Sequence, residues 1–322
     1  MVIRMNNKEY KPTLAQLRTF VTIAENRHFG TAASKLNISQ PSLSQALVAL
    51  ETGLGIQLIE RSTRKVIVTP TGEALLPYAK ATLEAADAFV AHARGAHGVL
   101  SGPLNIGIIP TIAPYILPTL LQLIQSEFPD LTPRIIEEPT KHLLAKLRDG
   151  NVDVALLALP THAPGVSELE LYDEDFIVVT NEKHKLSGLQ NLTLDVLEEL
   201  DLLLLDDGHC LRDQIVDLCK NVQTTPSNSS QSDTRAASLT TIMQLVVAGL
   251  GSTLVPKSAI AAECTRPGLG LSTFQKSVDA KRTIGLAYRS SSSRIHEFEE
   301  LGALCRKAYK EVAKTSDAVL SR

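Results

Sequence analysis

The segment Ala32-Ala33-Ser34-Lys35-Leu36-Asn37-Ile38-Ser39-Gln40-Pro41-Ser42-Leu43-Ser44-Gln45 constrains this 322-residue chain more than any other. Ala33 is small where two helices must cross closely. Leu36, Ile38, Leu43, Leu47 and Leu50 recur so as to face a common core, and Gln40, Ser42, Ser44 and Gln45 point away from it. Ser39 precedes a helix with Pro41 in its first turn, where a missing N–H costs nothing. A helix that enters the major groove needs short polar groups and amides at its N-terminal end. Glutamine can pair with an adenine edge, serine reaches bases or phosphates, and a helix N-terminus attracts phosphate. The segment therefore predicts a helix-turn-helix that reads DNA with Ser39, Gln40, Pro41, Ser42, Ser44 and Gln45.

The flanks agree. Leu14, Leu17, Phe20, Val21 and Ala24 recur at helical spacing behind Thr13, a suitable N-cap. A short helix is expected from Gly30 to Leu36, and Gly53 and Gly55 end the third. Gln57–Glu60 and Lys65–Val68 read as two short strands around Ser62–Arg64. They form a wing whose tip, Arg64 and Lys65, suits backbone or minor-groove contact. Thr69-Pro70-Thr71-Gly72 then opens a helix to Ala93. Its apolar positions Ala74, Leu75, Tyr78, Ala81, Ala85, Ala88 and Phe89 make a seam near the heptad spacing, which predicts dimerisation through this helix. The net charge of -3 hides an asymmetry: residues 1–95 carry 11 Lys/Arg and 7 Asp/Glu, net +4, whereas residues 96–322 carry 21 and 28, net -7. A basic module joined to an acidic domain is the implied arrangement.

Gly95, Gly98, Ser101, Gly102 and Pro103 mark a hinge. Beyond it, strands alternate with helices, which implies an α/β sheet. Strands are expected at Leu104–Ile109, Arg134–Glu137, Val152–Ala158, Phe176–Thr180, Leu202–Leu205, Gly251–Val255 and Thr283–Tyr288. Helices are expected at Ala113–Phe128, Lys141–Gly150 and Arg294–Val312. Thr224–Ser232 is a polar stretch. No signal peptide and no apolar run of membrane-spanning length are read, so a cytoplasmic protein without membrane attachment is expected. Four cysteines without CxxC or zinc spacing point to neither a disulfide framework nor a metal site. Neither a phosphate loop, a dinucleotide fingerprint nor a hydrolase elbow is present, so no cofactor and no enzyme are expected.

The run A-A-x-x-L-x-x-S-Q-P-S-L-S-x-x-x-x-x-L-E, continuing through Leu54-Gly55, Leu58, Arg61 and Thr69-Pro70-Thr71-Gly72, resembles the N-terminal signature of LysR-type transcriptional regulators. Ile59 departs from it, standing where that family usually has Phe. The resemblance implies a winged helix-turn-helix over 1–70, a linker and dimerisation helix over 71–95 and a hinge over 96–102. It further implies a regulatory domain over 103–322 of two α/β subdomains resembling periplasmic binding proteins. Subdomain I is expected at about 103–165 and 281–315, and subdomain II at about 166–280, with crossovers near Thr161–Leu169 and Gln275–Arg282. Implied partners are double-stranded operator DNA, a second copy through the linker helix, a tetramer of two such dimers, and RNA polymerase.

In the second part, Leu205-Asp206-Asp207-Gly208-His209-Cys210-Leu211-Arg212-Asp213-Gln214 stands out. Asp206–Gly208 reads as a turn and Leu211 onward as a helix. Cys210 then lies at a helix N-terminus beside His209 and near Arg212, all of which favour thiolate. Cys219 follows nine residues on. On one helix the pair would be about 13.5 Å apart along the axis and on opposite faces, whereas a disulfide needs Cα atoms about 4.4–6.8 Å apart. A bond between them would require unwinding 210–219. Spacing alone leaves two readings open, small core residues or a redox switch. The segment also resembles the hydrogen-peroxide sensors of the LysR-type family, with the match extending through Ile106–Tyr115. That resemblance implies Cys210 as the peroxidatic residue and Cys219 as the resolving one. It implies Thr111, His209, Gln214, Arg282 and Thr140 around the peroxide, and Cys264 and Cys305 as structural. Two alternatives remain: a LysR-type regulator that binds a small organic anion between the subdomains at Thr111, and a thiol peroxidase with an appended DNA module.

Overall fold

The computed structural model describes residues 10–61, 66–93, 100–221 and 236–321. The wing-tip residues Arg64 and Lys65, most of the hinge and the polar stretch Thr224–Ser232 lie outside the described residues. The chain divides into an N-terminal and a C-terminal unit.

In the first unit, α1 (Leu14–Asn26), α2 (Phe29–Lys35) and α3 (Gln40–Leu54) precede a two-stranded wing, β1 (Ile59–Arg61) and β2 (Val66–Val68), and then α4 (Pro70–Ala93). Thr13 and Gln16 close a capping box on α1, and Ser39 caps α3. Phe20, Ile23, Leu43, Leu47, Leu50 and Ile59 form a closed core. Glu51 ties the wing to α3: its Oε1 accepts the Leu58 and Ile59 N–H groups at 2.8 and 3.0 Å. Gly72 belongs to a close approach, since a Cβ there would stand 2.3 Å from the Leu58 carbonyl oxygen. One expectation fails. Ile38 does not join the core but is exposed, because Asn37 turns the chain through the left-handed region before α3 starts.

The second unit is built from β3 (Gly102–Ile108), α5 (Ala113–Glu127), β4 (Leu131–Glu137), α6 (Thr140–Arg148), β5 (Val154–Leu159), β6 (Val166–Asn181), α7 (Cys210–Asn221), α8 (Leu239–Val247), β7 (Thr253–Pro256), α9 (Ile260–Glu263), β8 (Leu269–Thr273), β9 (Lys281–Arg289) and α10 (Ile295–Leu320). The strand order is β4-β3-β5-β9-β6-β7, with β8 also on β6. Two buried clusters flank this path. The first gathers Ile106, Ile108, Leu156, Leu286 and Phe298 from β3, β5, β9 and α10. The second gathers Phe176, Val178, Leu211, Ile215, Met243 and Leu254.

The two clusters meet along β6. Its first half, Val166–Asp175, pairs antiparallel with β9, and its second half, from Phe176, pairs with β7 and β8. The crossover expected near Thr161–Leu169 is therefore strand from Val166 on, and the chain passes between cores at Asp175–Phe176. The first half was hard to read as strand because Glu168, Glu170, Asp173, Glu174 and Asp175 crowd it with residues that strands disfavour. Leu202–Leu205 is a correction of the opposite kind: it forms only isolated bridges, Leu202 to Ser252 and Leu205 to Ala236, although its residues are apolar. Apolar runs of four report burial, not pairing.

Candidate functional site

At the start of α3, Gln40, Pro41, Ser42 and Gln45 are exposed, and Ser44 is half-buried. Ser39 serves the helix itself: its Oγ accepts the Ser42 N–H at 3.2 Å and lies 2.8 Å from the Ser42 hydroxyl. The outward set expected from the sequence thus stands together on one end of one helix. Along α4, Ala79 and Leu83 are buried in the unit's core, whereas Tyr78 and Phe89 of the predicted seam are 71% and 76% exposed. Ala74 and Ala85 of the seam are also exposed, while Ala81 is half-buried and Leu75 packs against the unit's core.

The second site begins with a cross-strand pair. Glu174 on β6 and Arg282 on β9 are register partners. Both side chains are wholly buried, and they form an ion pair at 2.8 Å. Arg282 donates from Nε to Glu174 Oε2 at 2.8 Å, from Nη1 to Thr111 Oγ at 2.9 Å and from Nη2 to the Thr111 carbonyl at 3.0 Å. The other Glu174 oxygen accepts the Ser258 N–H at 2.8 Å. A buried ion pair tolerates its desolvation only when most of its remaining donors and acceptors are also satisfied; here both Glu174 oxygens have partners, and one Nη1 N–H of Arg282 is left over among the described residues. Burial works against the Arg282 charge. Glu174 and then Cys210 outweigh it, holding its pKa above the usual range. Tyr172 stacks on Tyr309 with centroids 3.8 Å apart, and burial and then Glu174 push its phenol upward.

Cys210 is the first residue of α7, half-buried and packed against the first core. Gly208, at φ 97°, makes the turn that delivers it, a conformation that favours glycine. His209 is half-buried beside it, and Gln214 lies one turn along the same face. Arg212 is turned away: it pairs with Asp207 at 3.1 Å and donates to the Leu205 carbonyl at 3.3 Å. The cation acting on Cys210 is therefore Arg282, from the other side of the site, and not the helical neighbour that the sequence suggests. Leu211, Ile215, Leu218 and Cys219 form the opposite, buried stripe of α7. Burial raises the Cys219 thiol.

Thr111, Arg282 and Cys210 are thus brought to one place from β3–α5, β9 and α7. Gln214 Oε1 and Thr140 Oγ1 are buried without a hydrogen-bond partner among the described residues. Thr140 starts α6, and among the described residues no side-chain hydrogen bond joins it to the others. Cys264 and Cys305 are buried, and burial pushes each thiol up to about 12. Sequence reasoning missed Glu174. Its only signal was an acid inside a strand that ends in Phe176–Thr180, and its partner lies 108 residues away.

Two family models match in chain order. "Bacterial regulatory helix-turn-helix protein, lysR family" matches residues 14–73, and "LysR substrate binding domain" matches residues 97–310. A Mycobacterium leprae protein named "Probable hydrogen peroxide-inducible genes activator" is 48% identical over 300 residues, covering 93% of this chain and 95% of that one. A solved structure of a cysteine-to-serine variant of Corynebacterium glutamicum OxyR, H2O2-bound, is 65% identical, covers 97% of each chain and has a TM-score of 0.70. The oxidized form of Corynebacterium glutamicum OxyR is 64% identical over 97% of each chain, with a TM-score of 0.62. With a helix-turn-helix unit followed by a matched regulatory α/β unit over most of its length, the chain belongs to the LysR family of bacterial regulatory proteins.

Proposed function

We propose that this chain is a DNA-binding transcription regulator that senses hydrogen peroxide through oxidation of Cys210 and a disulfide with Cys219. The observation that carries the reading is the placement of the two thiols. Cys210 opens α7 half-buried beside the Arg282–Thr111 pair, and Cys219 lies on the opposite face of the same helix in the second core. The relatives named above, a peroxide-inducible activator and OxyR in H2O2-bound and oxidized forms, support the same reading.

The chemistry runs in two steps. The Cys210 thiolate attacks one peroxide oxygen, the O–O bond breaks, and the other oxygen leaves as hydroxide and takes a proton to become water. Cys210 is then a sulfenic acid. The Cys219 sulfur attacks it, an S–S bond forms, and the sulfenic oxygen leaves as a second water. Two thiols lose two electrons and peroxide becomes two waters. Thr111 accepts from Arg282, so its own O–H is available to the oxygen that becomes hydroxide. Gln214 and Thr140 supply buried oxygens, and His209 flanks the thiol.

Closing about 13.5 Å of helical separation requires unwinding α7. Two packings selected by one covalent bond constitute a switch. Its output is the N-terminal unit, where Ser39, Gln40, Pro41, Ser42, Ser44 and Gln45, with Arg64 and Lys65, read operator DNA. We assign 1–70 to the winged helix-turn-helix, 71–95 to the linker helix, 96–102 to the hinge and 103–322 to the regulatory domain. The pairing of β6, with β9 up to Asp175 and with β7 and β8 from Phe176, supports a subdomain boundary at Asp175–Phe176 in place of 166. The exposed Tyr78 and Phe89 support a dimer through α4, assembled into a tetramer that contacts RNA polymerase. Among the described residues no helix is long and apolar enough to cross a membrane, and we place the protein in the cytoplasm. Footprints before and after peroxide test the reading. Half-site spacing changes in the parent and not in Cys210→Ser; a peroxide-dependent change that persists in Cys210→Ser overturns it.

A further inference from the structure

Arg282 meets Glu174 as a guanidinium meets a carboxylate ligand. Nε and Nη2 both face the same carboxylate oxygen at 2.8 Å, in a space with no solvent exposure on either side chain. Arginine recognises organic acids and inorganic oxyanions with these same N–H groups; here two of them converge on Oε2, while Oε1 takes the Ser258 N–H. Here the acid belongs to the chain. Glu174 is held in place by the strand ladder on one side and by the Ser258 N–H on the other. The Nε proton and the Nη2 protons are spent on Glu174 and the Thr111 carbonyl, and Nη1 gives one of its two protons to Thr111 Oγ. What the pair can still offer is one Nη1 N–H and the Thr111 O–H. Two donors on an ion pair of zero net charge suit a small neutral oxygen compound.

We propose that Glu174 is the specificity-determining residue of this site, a carboxylate supplied by the chain that fills the Arg282 fork, so that anions are refused and an uncharged hydroperoxide is admitted. This rests on the reading of Cys210 as the peroxide-reactive thiol. An incoming anion faces two routes, both unfavourable. It can share the cation with Glu174, placing two negative groups on one positive group without water to screen them. It can displace Glu174, stranding a buried carboxylate and competing against a tethered group whose effective concentration is high. Hydrogen peroxide faces neither, because it brings no charge. The arrangement also sets the strength of the field at Cys210. A guanidinium paired with Glu174 stabilises the thiolate less than an unpaired one would, which tempers the reactivity of the thiol while leaving donors for the leaving oxygen.

The test uses the full-length reduced protein and sodium formate as the probe, at constant ionic strength. In a Cys210→Ser background, calorimetric titration compares Glu174 with Glu174→Gln, which keeps the shape and removes the charge. We expect the Gln variant to bind formate at least about tenfold more tightly, a difference of about 1.4 kcal/mol. Equal affinity in the two proteins overturns the proposal. With Cys210 restored, formate slows peroxide oxidation in Glu174→Gln and not in the parent, and the pH profile of Cys210 alkylation moves to lower pH in the variant. A purely packing role for Glu174 would move neither. Should Glu174→Gln fail to fold, the parent still decides: formate at 100-fold excess over peroxide leaves its Cys210 oxidation rate unchanged, and competitive inhibition overturns the proposal. If peroxide does not oxidise Cys210 in the parent at all, the peroxide reading fails, while the formate titration in the Cys210→Ser background still judges Glu174.

Discussion

Cys210 and Cys219 share one helix, and their surroundings differ in every respect that governs thiol chemistry. Cys210 stands at the N-terminus of α7, half-buried, where the helix dipole favours negative charge and Arg282 acts on it from across the site. Cys219 is 1% exposed among Leu211, Ile215, Leu218 and Met243, and burial raises its pKa. Two identical side chains nine residues apart are thus given opposite settings by helix position and burial. The setting of Cys210 favours reaction, and that of Cys219 disfavours it while the helix stays packed.

The most severe break of this comparison exchanges which thiol is missing. Cys210→Ser and Cys219→Ser are both expected to abolish the peroxide-dependent footprint change completely. They differ in what accumulates. Cys219→Ser holds a sulfenic acid at Cys210 that a dimedone-type probe labels, and Cys210→Ser shows no label anywhere. A label at Cys219 in the Cys210→Ser protein would mean that burial does not silence the second thiol.

A smaller effect sharpens the same contrast without mutation. Limited alkylation of the reduced protein near neutral pH should modify Cys210 faster than Cys219, Cys264 or Cys305 by more than about tenfold. The Cys219 pKa is raised in the folded state above its unfolded value. The stability this provides is full below the usual thiol range and is lost as pH rises through the raised value. Alkylation of Cys219 should therefore appear only in alkaline solution and together with loss of native structure. Parallel alkylation of all four cysteines across pH would contradict the assignment.

How far the sequence spoke for these regions differs for a physical reason. The DNA-reading unit was legible because its determinants are local: Thr13 and Ser39 cap the helices that follow them, Pro41 sits within the first turn, and Leu43, Leu47 and Leu50 repeat at helical spacing. Ile38 escaped because exposure at a turn depends on the backbone path and not on apolarity. The position of Cys210 at a helix start was equally local, announced by Asp206–Gly208. Glu174 could not be read. Its meaning comes from a strand register that joins residues 108 apart, and one acid between Asp173 and Asp175 looks like part of a wet edge. Arg212 misled for the same reason: its nearness in sequence hid a closer partner, Asp207.

The smallest expected effect tests whether α7 must open for the two thiols to meet. Ile215 is 2% exposed and, with Leu211 and Leu218, anchors α7 in the second core. Ile215→Val removes one methylene and should cost about 0.5–1.5 kcal/mol of packing. If disulfide formation waits on unwinding, that cost is recovered on opening, and the step from sulfenic acid to disulfide should quicken by up to roughly tenfold. The peroxide step at Cys210 should hold its rate, since Ile215 faces away from Arg282 and Thr111. Rapid-quench trapping of the sulfenic acid, against the appearance of the disulfide, separates the two rates. A variant with lowered thermal stability and an unchanged second step would show that Cys219 reaches Cys210 by a path that leaves the packed face of α7 intact.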